Sequence, residues 1–219
     1  MHSETNRQEA TAIPTLYYRP GACALAPHIV LHWVGMEHVA KRAERNDPEL
    51  LAINPSGAVP AFRTADGHGL TQAAAIMQHI ARRAGREDLL GADNPTAHDE
   101  VAVWLSFFTG DFHPSFWPYF APRMYISSSV EEQQLSVKSA GIKLVKNGLA
   151  KIDAHLEGRE TFVGGSKTVV DAYSVPMLRW AKNIDGVDFA SYANAARLYG
   201  TIISDPGVVA AMKHQGIEP

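Results

Sequence analysis

A polar, turn-rich stretch at residues 91–95 separates two parts of the chain whose residue patterns differ. Before it, short β-prone runs alternate with apolar residues at helical spacing, and after it every periodic segment is helical. This change of pattern predicts a small α/β domain over 14–92, followed by an all-helical domain over 98–219. Residues 1–13 are largely polar and are expected to form a flexible tail.

The pattern also predicts individual elements. In the first part, strands are predicted at 15–18, 38–41, 59–62 and around Leu70, and helices at 24–34 and 72–83. In the second part, helices are predicted at 98–112, 130–156, 169–183, 192–203 and 206–213. The mixed order of the first part suits a sheet with helices packed against it.

Composition and charge exclude several classes of protein. Of the 219 residues, 46% are hydrophobic and 20% charged, which excludes a disordered or coiled-coil chain. A formal net charge of −3 gives no electrostatic basis for binding nucleic acid or an anionic membrane, so we expect neither partner. Cys23 is the single cysteine, which rules out an intrachain disulfide and suits a reducing compartment such as the cytoplasm.

Cys23 is the first candidate for chemistry, because it follows a Pro-Gly turn and precedes a predicted helix. Free N–H groups and the helix dipole at that position are expected to stabilise a thiolate and lower the pKa of Cys23. The alternative is a small buried apolar residue, as most free cysteines are. Ala26 stands where a Cys-x-x-Cys pair would have its second cysteine, so dithiol cycling is not expected.

The Val59–Pro60 bond is a candidate cis peptide, since the proline enters a predicted strand after a turn. A cis bond there would leave the backbone N–H and C=O of Val59 free to pair with an extended peptide ligand. The sequence pattern alone favours an ordinary trans proline at the start of an edge strand.

The predicted helix that begins near Gln72 offers a third candidate site. Its free N–H groups are suited to a carboxylate, and the Gln72 amide is suited to an amine or a carboxylate. The alternative, which the pattern favours, is a plain helix start capped by Thr71.

Aromatic residues crowd the segment between residues 104 and 120, where His113 is interleaved with them. Most of them are expected in the core, but their number and the prolines that break the helix also suit the wall of an apolar pocket. The aromatic residues are Trp104, Phe107, Phe108, Phe112, Phe116, Trp117, Tyr119 and Phe120.

His28 and His32 are spaced as two zinc ligands on one helix can be. Neither a third ligand nor a glutamate follows nearby in the motif, so no metal site is expected.

Four motifs in this order resemble a cytosolic glutathione S-transferase, most closely the bacterial beta class. They are Leu-Tyr-Tyr-Arg-Pro-Gly-Ala-Cys at 16–23, Asn-Pro-Ser-Gly-Ala-Val-Pro at 54–60, Ala-Ile-Met-Gln at 75–78 and Thr-Val-Val-Asp-Ala-Tyr at 168–173. The resemblance covers about residues 15–215. It implies a thioredoxin-like N-terminal domain, a helical C-terminal domain and a homodimer, and a cytoplasmic detoxification enzyme that needs no metal.

The resemblance also implies a glutathione site on the first domain. Val59 would pair with the cysteinyl backbone of glutathione beside cis-Pro60. Gln72 and the N–H of Ala73 would hold the γ-glutamyl end, and Arg45 is the candidate for the glycyl carboxylate.

Three residues are implied as catalytic. Cys23 matches the beta-class cysteine that faces the sulfur of glutathione, and His113 matches the histidine beside it. Tyr18 matches the tyrosine that activates the thiol in other classes. The apolar electrophile would lie in a pocket formed by Phe112, Phe116, Trp117 and Tyr119.

Two departures from the family pattern leave a second hypothesis open. Ala73 and Ala24 stand where serine is usual, so the hydroxyl that would bind the γ-glutamyl carboxylate is missing. The leading hypothesis is an enzyme that conjugates glutathione to apolar electrophiles or catalyses glutathione-dependent thiol exchange. The alternative is a non-catalytic protein of the same fold that binds a ligand or another protein.

Overall fold

The first domain of the computed structural model is built on a four-stranded sheet; the structure describes residues 13–92, 94–127 and 129–218. The sheet order is β2-β1-β3-β4, in which β1 pairs parallel with β2 and antiparallel with β3. Its strands are β1 (Thr15–Tyr18), β2 (Val39–Arg42), β3 (Ala61–Arg63) and β4 (Gly69–Thr71), and its helices are α1 (Leu25–Trp33), α2 (Pro48–Leu51) and α3 (Ala73–Arg83).

Alternation along β1 divides the core of this domain. Leu16 faces the main core, where α1 and α3 cover the sheet, and Tyr17 faces a smaller cluster with Leu50 of α2. The sequence prediction missed α2, whose signal was an aspartate directly before a proline. Asp47 caps this helix by accepting hydrogen bonds from the N–H groups of the second and third helical residues.

The second domain consists of helices. They are α4 (Pro95–Phe107), α5 (His113–Ser115), α6 (Trp117–Phe120), α7 (Glu131–His155), α8 (Val169–Lys182), α9 (Ala193–Ile202) and α10 (Pro206–Gln215). The predicted helix at 98–112 differs at both ends. It begins earlier because Asn94 caps it, and after Phe107 it widens into a π-helical turn at 108–112. The limits predicted for the two domains, 14–92 and 98–219, remain a prediction.

Helix α8 begins with a buried hydrogen-bonding motif. The fully buried Asp171 carboxylate accepts hydrogen bonds from the backbone N–H groups of Phe162 (3.0 Å) and Thr168 (2.8 Å) and from the Thr168 hydroxyl (3.0 Å). Thr168 and Asp171 form a capping box at the start of the helix. Burial raises the pKa of Asp171 to about 6, while these hydrogen bonds oppose that shift.

The two domains pack through α1, which contacts both α8 and α10. This packing places the N-terminus of α1, and therefore Cys23, beside side chains from α8.

Across the residues that the structure describes, no helix combines the length and apolarity needed to span a membrane.

Candidate active site

A cavity of about 550 Å³ lies between the two domains. The wall from the first domain is made of turns and element ends that carry free backbone groups, and it includes Cys23, Val59 and Gln72. The wall from the second domain is largely aromatic and includes Phe116 and Trp117. A polar wall facing an apolar wall is the arrangement of a site that joins a polar ligand to an apolar one.

The edge of the sheet meets the cavity at Val59. The Val59–Pro60 bond is cis, as the resemblance implied, although the pattern alone favoured trans. Strand β3 begins at Ala61, two residues later than predicted. The carbonyl oxygen of Val59 lies 3.6 Å from the Sγ of Cys23 and accepts a hydrogen bond from the thiol. An extended ligand that pairs with Val59 would consequently lie beside this thiol.

Helix α3 begins at the cavity with an unusual backbone conformation. Gln72 has a φ of 70°, and among the described residues no other non-glycine residue has a positive φ. Conformations of this kind cost free energy and concentrate at ligand sites. Gln72 and Ala73 both line the cavity, so the side-chain amide and the first N–H groups of α3 are available to a ligand.

Burial of the Cys23 thiol works against the predicted low pKa. Its side chain is almost completely buried, and burial raises the pKa of Cys23 to about 12. Hydrogen bonds from the backbone N–H groups of Cys23 and Ala24 act in the opposite direction but are outweighed. The position of Cys23 before a helix could be predicted from the sequence, but its burial by the second domain could not.

His113 and Tyr173 meet in the cavity wall. The Tyr173 hydroxyl lies 3.1 Å from the Nδ1 of His113, and both side chains line the cavity. Burial lowers the pKa of His113 to about 4, so the ring is neutral at physiological pH. Burial and the nearby Cys23 raise the pKa of Tyr173, which keeps its hydroxyl protonated. Tyr173 lies in the motif at 168–173 but was not predicted as a site residue.

Two of the four predicted pocket aromatics line the cavity, namely Phe116 and Trp117. The other two do not. Phe112 is buried between Phe108 and Phe116 and packs on α7, and Tyr119 turns away from the cavity. The π-helical turn at 108–112 changes which residues after it face the cavity. A prediction based on regular helical spacing could not include this change.

Besides Tyr173, two aromatic residues outside the predicted pocket line the cavity. They are Phe120 and Trp180, whose indole N–H donates a 2.7 Å hydrogen bond to the carbonyl oxygen of Gly21. Trp180 lies on α8, and no local sequence signal related it to the turn before Cys23.

Tyr18, predicted as an alternative thiol activator, is not among the residues that line the cavity. Its ring packs against the rings of His28 and His214, with centroids 5.9 and 6.2 Å away. Its neighbour Tyr17 points to the other face of the sheet and donates a hydrogen bond to Glu49. The structure therefore leaves Cys23 and His113, of the three predicted catalytic residues, in the cavity.

A loop in the first domain brings Arg45 to the cavity wall. Gly57 packs directly against the carbonyl oxygen of Arg45, and its φ of 62° suits glycine. The Arg19 guanidinium holds the same loop by donating a 2.7 Å hydrogen bond to the carbonyl oxygen of Gly57.

Comparison with known proteins identifies the family. The family model described as "Glutathione S-transferase, N-terminal domain" matches residues 21–83. A glutathione S-transferase of Xanthomonas campestris is 36% identical over 205 residues, which are 92% of this chain and 98% of that protein. The chain belongs to the glutathione S-transferase family.

Solved structures support the same assignment for this transferase. A bacterial beta class glutathione S-transferase from Sphingomonas chungbukensis matches with a TM-score of 0.81 and 33% identity, covering 93% of this chain and 100% of that one. A sphingomonad glutathione S-transferase complexed with glutathione also has a TM-score of 0.81, with 34% identity and the same coverage. The predicted family, the thioredoxin-like and helical fold and the assignment as a transferase enzyme are confirmed.

Proposed function

We propose that this transferase binds glutathione along the first-domain wall of the cavity and conjugates it to an apolar electrophile held by the aromatic wall. One observation carries the proposal: the Val59 carbonyl, the Cys23 thiol and the start of α3 face one cavity whose opposite wall is aromatic. The bound glutathione of the sphingomonad relative supports the choice of co-substrate.

Each part of glutathione has a partner of suitable chemistry. The γ-glutamyl carboxylate would accept hydrogen bonds from the N–H groups at the start of α3, with the Gln72 amide beside it. The cysteinyl backbone would pair with Val59 as an added strand does. The glycyl carboxylate would form an ion pair with Arg45.

The site would activate the glutathione thiol by stabilising its thiolate with neutral donors. The Cys23 thiol would be one donor, once its S–H turns from the Val59 carbonyl oxygen to the bound sulfur. In the tautomer that this proposal requires, the Tyr173 hydroxyl donates to Nδ1 of His113, 3.1 Å away, and Nε2 carries the proton and would be a second donor. The thiol proton passes to solvent, and the thiolate attacks the electrophilic carbon. A carbon–sulfur bond forms, and in an aryl halide the halide leaves with its electron pair.

The proposal is tested by retention of the full chain on immobilised glutathione, followed by turnover of glutathione with a generic aryl halide. We expect both binding and conjugation.

The variant His113→Ala removes one donor to a charged sulfur and is expected to lower kcat by about tenfold or more. His68→Ala, in an exposed turn, is the control. No retention on glutathione would contradict the proposed binding site, and retention without turnover would favour the non-catalytic hypothesis.

Replacing Gly57 with alanine is expected to raise the KM for glutathione several-fold. The added Cβ would overlap the carbonyl oxygen of Arg45 and displace this residue from the cavity wall. Gly67→Ala is a matched control, because Gly67 also has a positive φ (85°) but has open space around it. The prediction fails if both variants change the KM for glutathione equally.

Thiol exchange is the second candidate reaction, because an extended ligand on Val59 would bring its sulfur to Cys23. In this reaction the Cys23 thiolate attacks oxidised glutathione, forms a mixed disulfide and releases one glutathione thiolate. A raised pKa leaves only a small fraction of Cys23 as thiolate at neutral pH. As long as the pH is below the pKa, each unit by which the pH rises increases this fraction about tenfold.

We therefore expect the rate of Cys23 modification by oxidised glutathione to keep rising from neutral pH to well above about 8.5, the pKa of an ordinary cysteine. Mass spectrometry follows the added glutathione, and Cys23→Ser is the control without a thiol. A rate that levels off near neutral pH would show a low pKa and favour exchange as the main activity.

The homodimer, the cytoplasmic location and a role in detoxification are proposals that rest on the family. Light scattering of the purified chain tests the dimer, with a mass of one chain as the contradicting result. The predicted flexible tail falls almost entirely on residues 1–12, which lie outside the described residues.

A further inference from the structure

Three histidines from two neighbouring segments meet outside the glutathione cavity. His28 and His32 lie one turn apart on α1, and His38 follows just before β2. Their ring centroids are 5.1 Å apart for the two helical residues, and His38 lies 5.3 and 5.4 Å from them. We propose that these three residues, called the histidine cluster below, form a binding site for a divalent transition-metal ion, for which zinc is the probe.

The distances fit a metal site whose three ligand nitrogens move closer together when the ion binds. One ring nitrogen from each residue of the cluster lies within 4.8 Å of the other two. In a tetrahedral zinc site with Zn–N bonds of about 2.0–2.1 Å, ligand nitrogens are about 3.3 Å apart. Small side-chain rotations would bring the three nitrogens to that separation.

Two nitrogens of the cluster are also buried without a partner. Within the described part of the chain, the Nε2 atoms of His28 and His32 are inaccessible to solvent and make no hydrogen bond. His28 is fully buried. Buried polar atoms usually have a partner, and leaving one without it costs free energy. A single metal ion between the rings would coordinate both.

The outer nitrogen of His38 has a partner that suits a metal-bound ring. The Nδ1 of His38 lies 2.8 Å from the carbonyl oxygen of Met36, so Nδ1–H donates there and Nε2 keeps its lone pair. The Nδ1 of His28 lies 3.2 Å from the amide nitrogen of Gln215. A metal on Nε2 of His28 would put the proton on Nδ1, so the Gln215 amide would have to turn and give up its hydrogen bond with the Gly21 N–H.

The access to the cluster also suits a metal. His32 and His38 are partly exposed and give a path from solvent. The exposed ring of His214, 4.9 Å from that of His28, or a water molecule would complete a four-coordinate site.

The sequence analysis expected no metal because it found no third ligand beside the helical pair. The third ligand comes from the turn after α1, where Gly35 has a φ of 63° and reverses the chain towards β2. Imidazole nitrogens bind zinc, copper and nickel, whereas magnesium and calcium prefer oxygen.

The test is a calorimetric titration of the untagged, metal-free full chain with zinc chloride. We expect one zinc ion per chain. His32→Gln and His38→Gln are each expected to weaken binding by about tenfold or more, because each removes one ligand. His28 is left unchanged because substitution of this fully buried residue would disturb folding. His68→Gln, in an exposed turn, and Cys23→Ser are controls that should bind zinc as the wild type does.

Cobalt gives an independent readout on the wild type, which needs no variant to fold. Co²⁺ in a four-coordinate site with nitrogen ligands shows intense visible absorption, and we expect these bands on addition of one equivalent. Absence of zinc binding, equal binding by the wild type and both cluster variants, or bound cobalt without these bands would each overturn the proposal. Because none of these readouts uses glutathione, failure here leaves the proposed transferase activity untouched.

Discussion

Replacing Ala73 with serine is expected to lower the KM for glutathione by about tenfold or more. Ala73 is the first residue of α3 and lines the cavity where the γ-glutamyl carboxylate is proposed to bind. A serine hydroxyl there would donate a hydrogen bond to a charged group, which contributes about 1.5–3 kcal/mol. An energy of about 1.4 kcal/mol corresponds to a tenfold change in affinity. Steady-state kinetics with varied glutathione measure the effect.

Ala75→Ser is the matched control, since Ala75 lies exposed on the same helix and the substitution has the same effect on helix propensity. The kcat should change little, because the new bond would form equally with bound glutathione and in the transition state. An unchanged KM in Ala73→Ser would mean that the carboxylate does not bind at the start of α3.

Replacing Asp171 with alanine is expected to lower the free energy of unfolding by about 3 kcal/mol or more. The carboxylate accepts three hydrogen bonds in a fully buried position, and its removal leaves the N–H groups of Phe162 and Thr168 without an acceptor. Each buried donor left unpaired costs about 1–3 kcal/mol. Urea denaturation at pH 7.5 measures the change.

Asn94→Ala tests whether burial explains the size of this effect. Asn94 also caps a helix and accepts hydrogen bonds from two backbone N–H groups, but its side chain is exposed. Loss of an exposed cap costs about 1 kcal/mol, because water replaces the missing acceptor. Equal losses of stability in the two variants would show that the buried network around Asp171 adds nothing to an ordinary cap.

Much of the fold could be predicted because its signals are local. The helix predicted at 169–183, for example, ends one residue from the observed end of α8. The deviations have local causes as well. Asn94 moves the start of α4 towards the N-terminus, and the missing N–H of Pro60 delays the start of β3.

The candidate site was harder to predict because its two walls are far apart in sequence. Cys23 and Val59 belong to motifs of the first domain, whereas Tyr173 and Trp180 reach them only after the helical domain has packed. The pKa of Cys23 illustrates the difference. Its position before a helix is visible in the sequence, but its burial, which has the larger effect, depends on the assembled cavity.

The side chain of Gln215, in the final helix, contacts the turn that precedes Cys23. Its side-chain oxygen accepts a 3.2 Å hydrogen bond from the N–H of Gly21, two residues before Cys23. The final helix thus supports the turn before Cys23 from the side of the second domain. Removal of Gln215 would leave the Gly21 N–H without this acceptor and would disturb the surroundings of the Cys23 thiol.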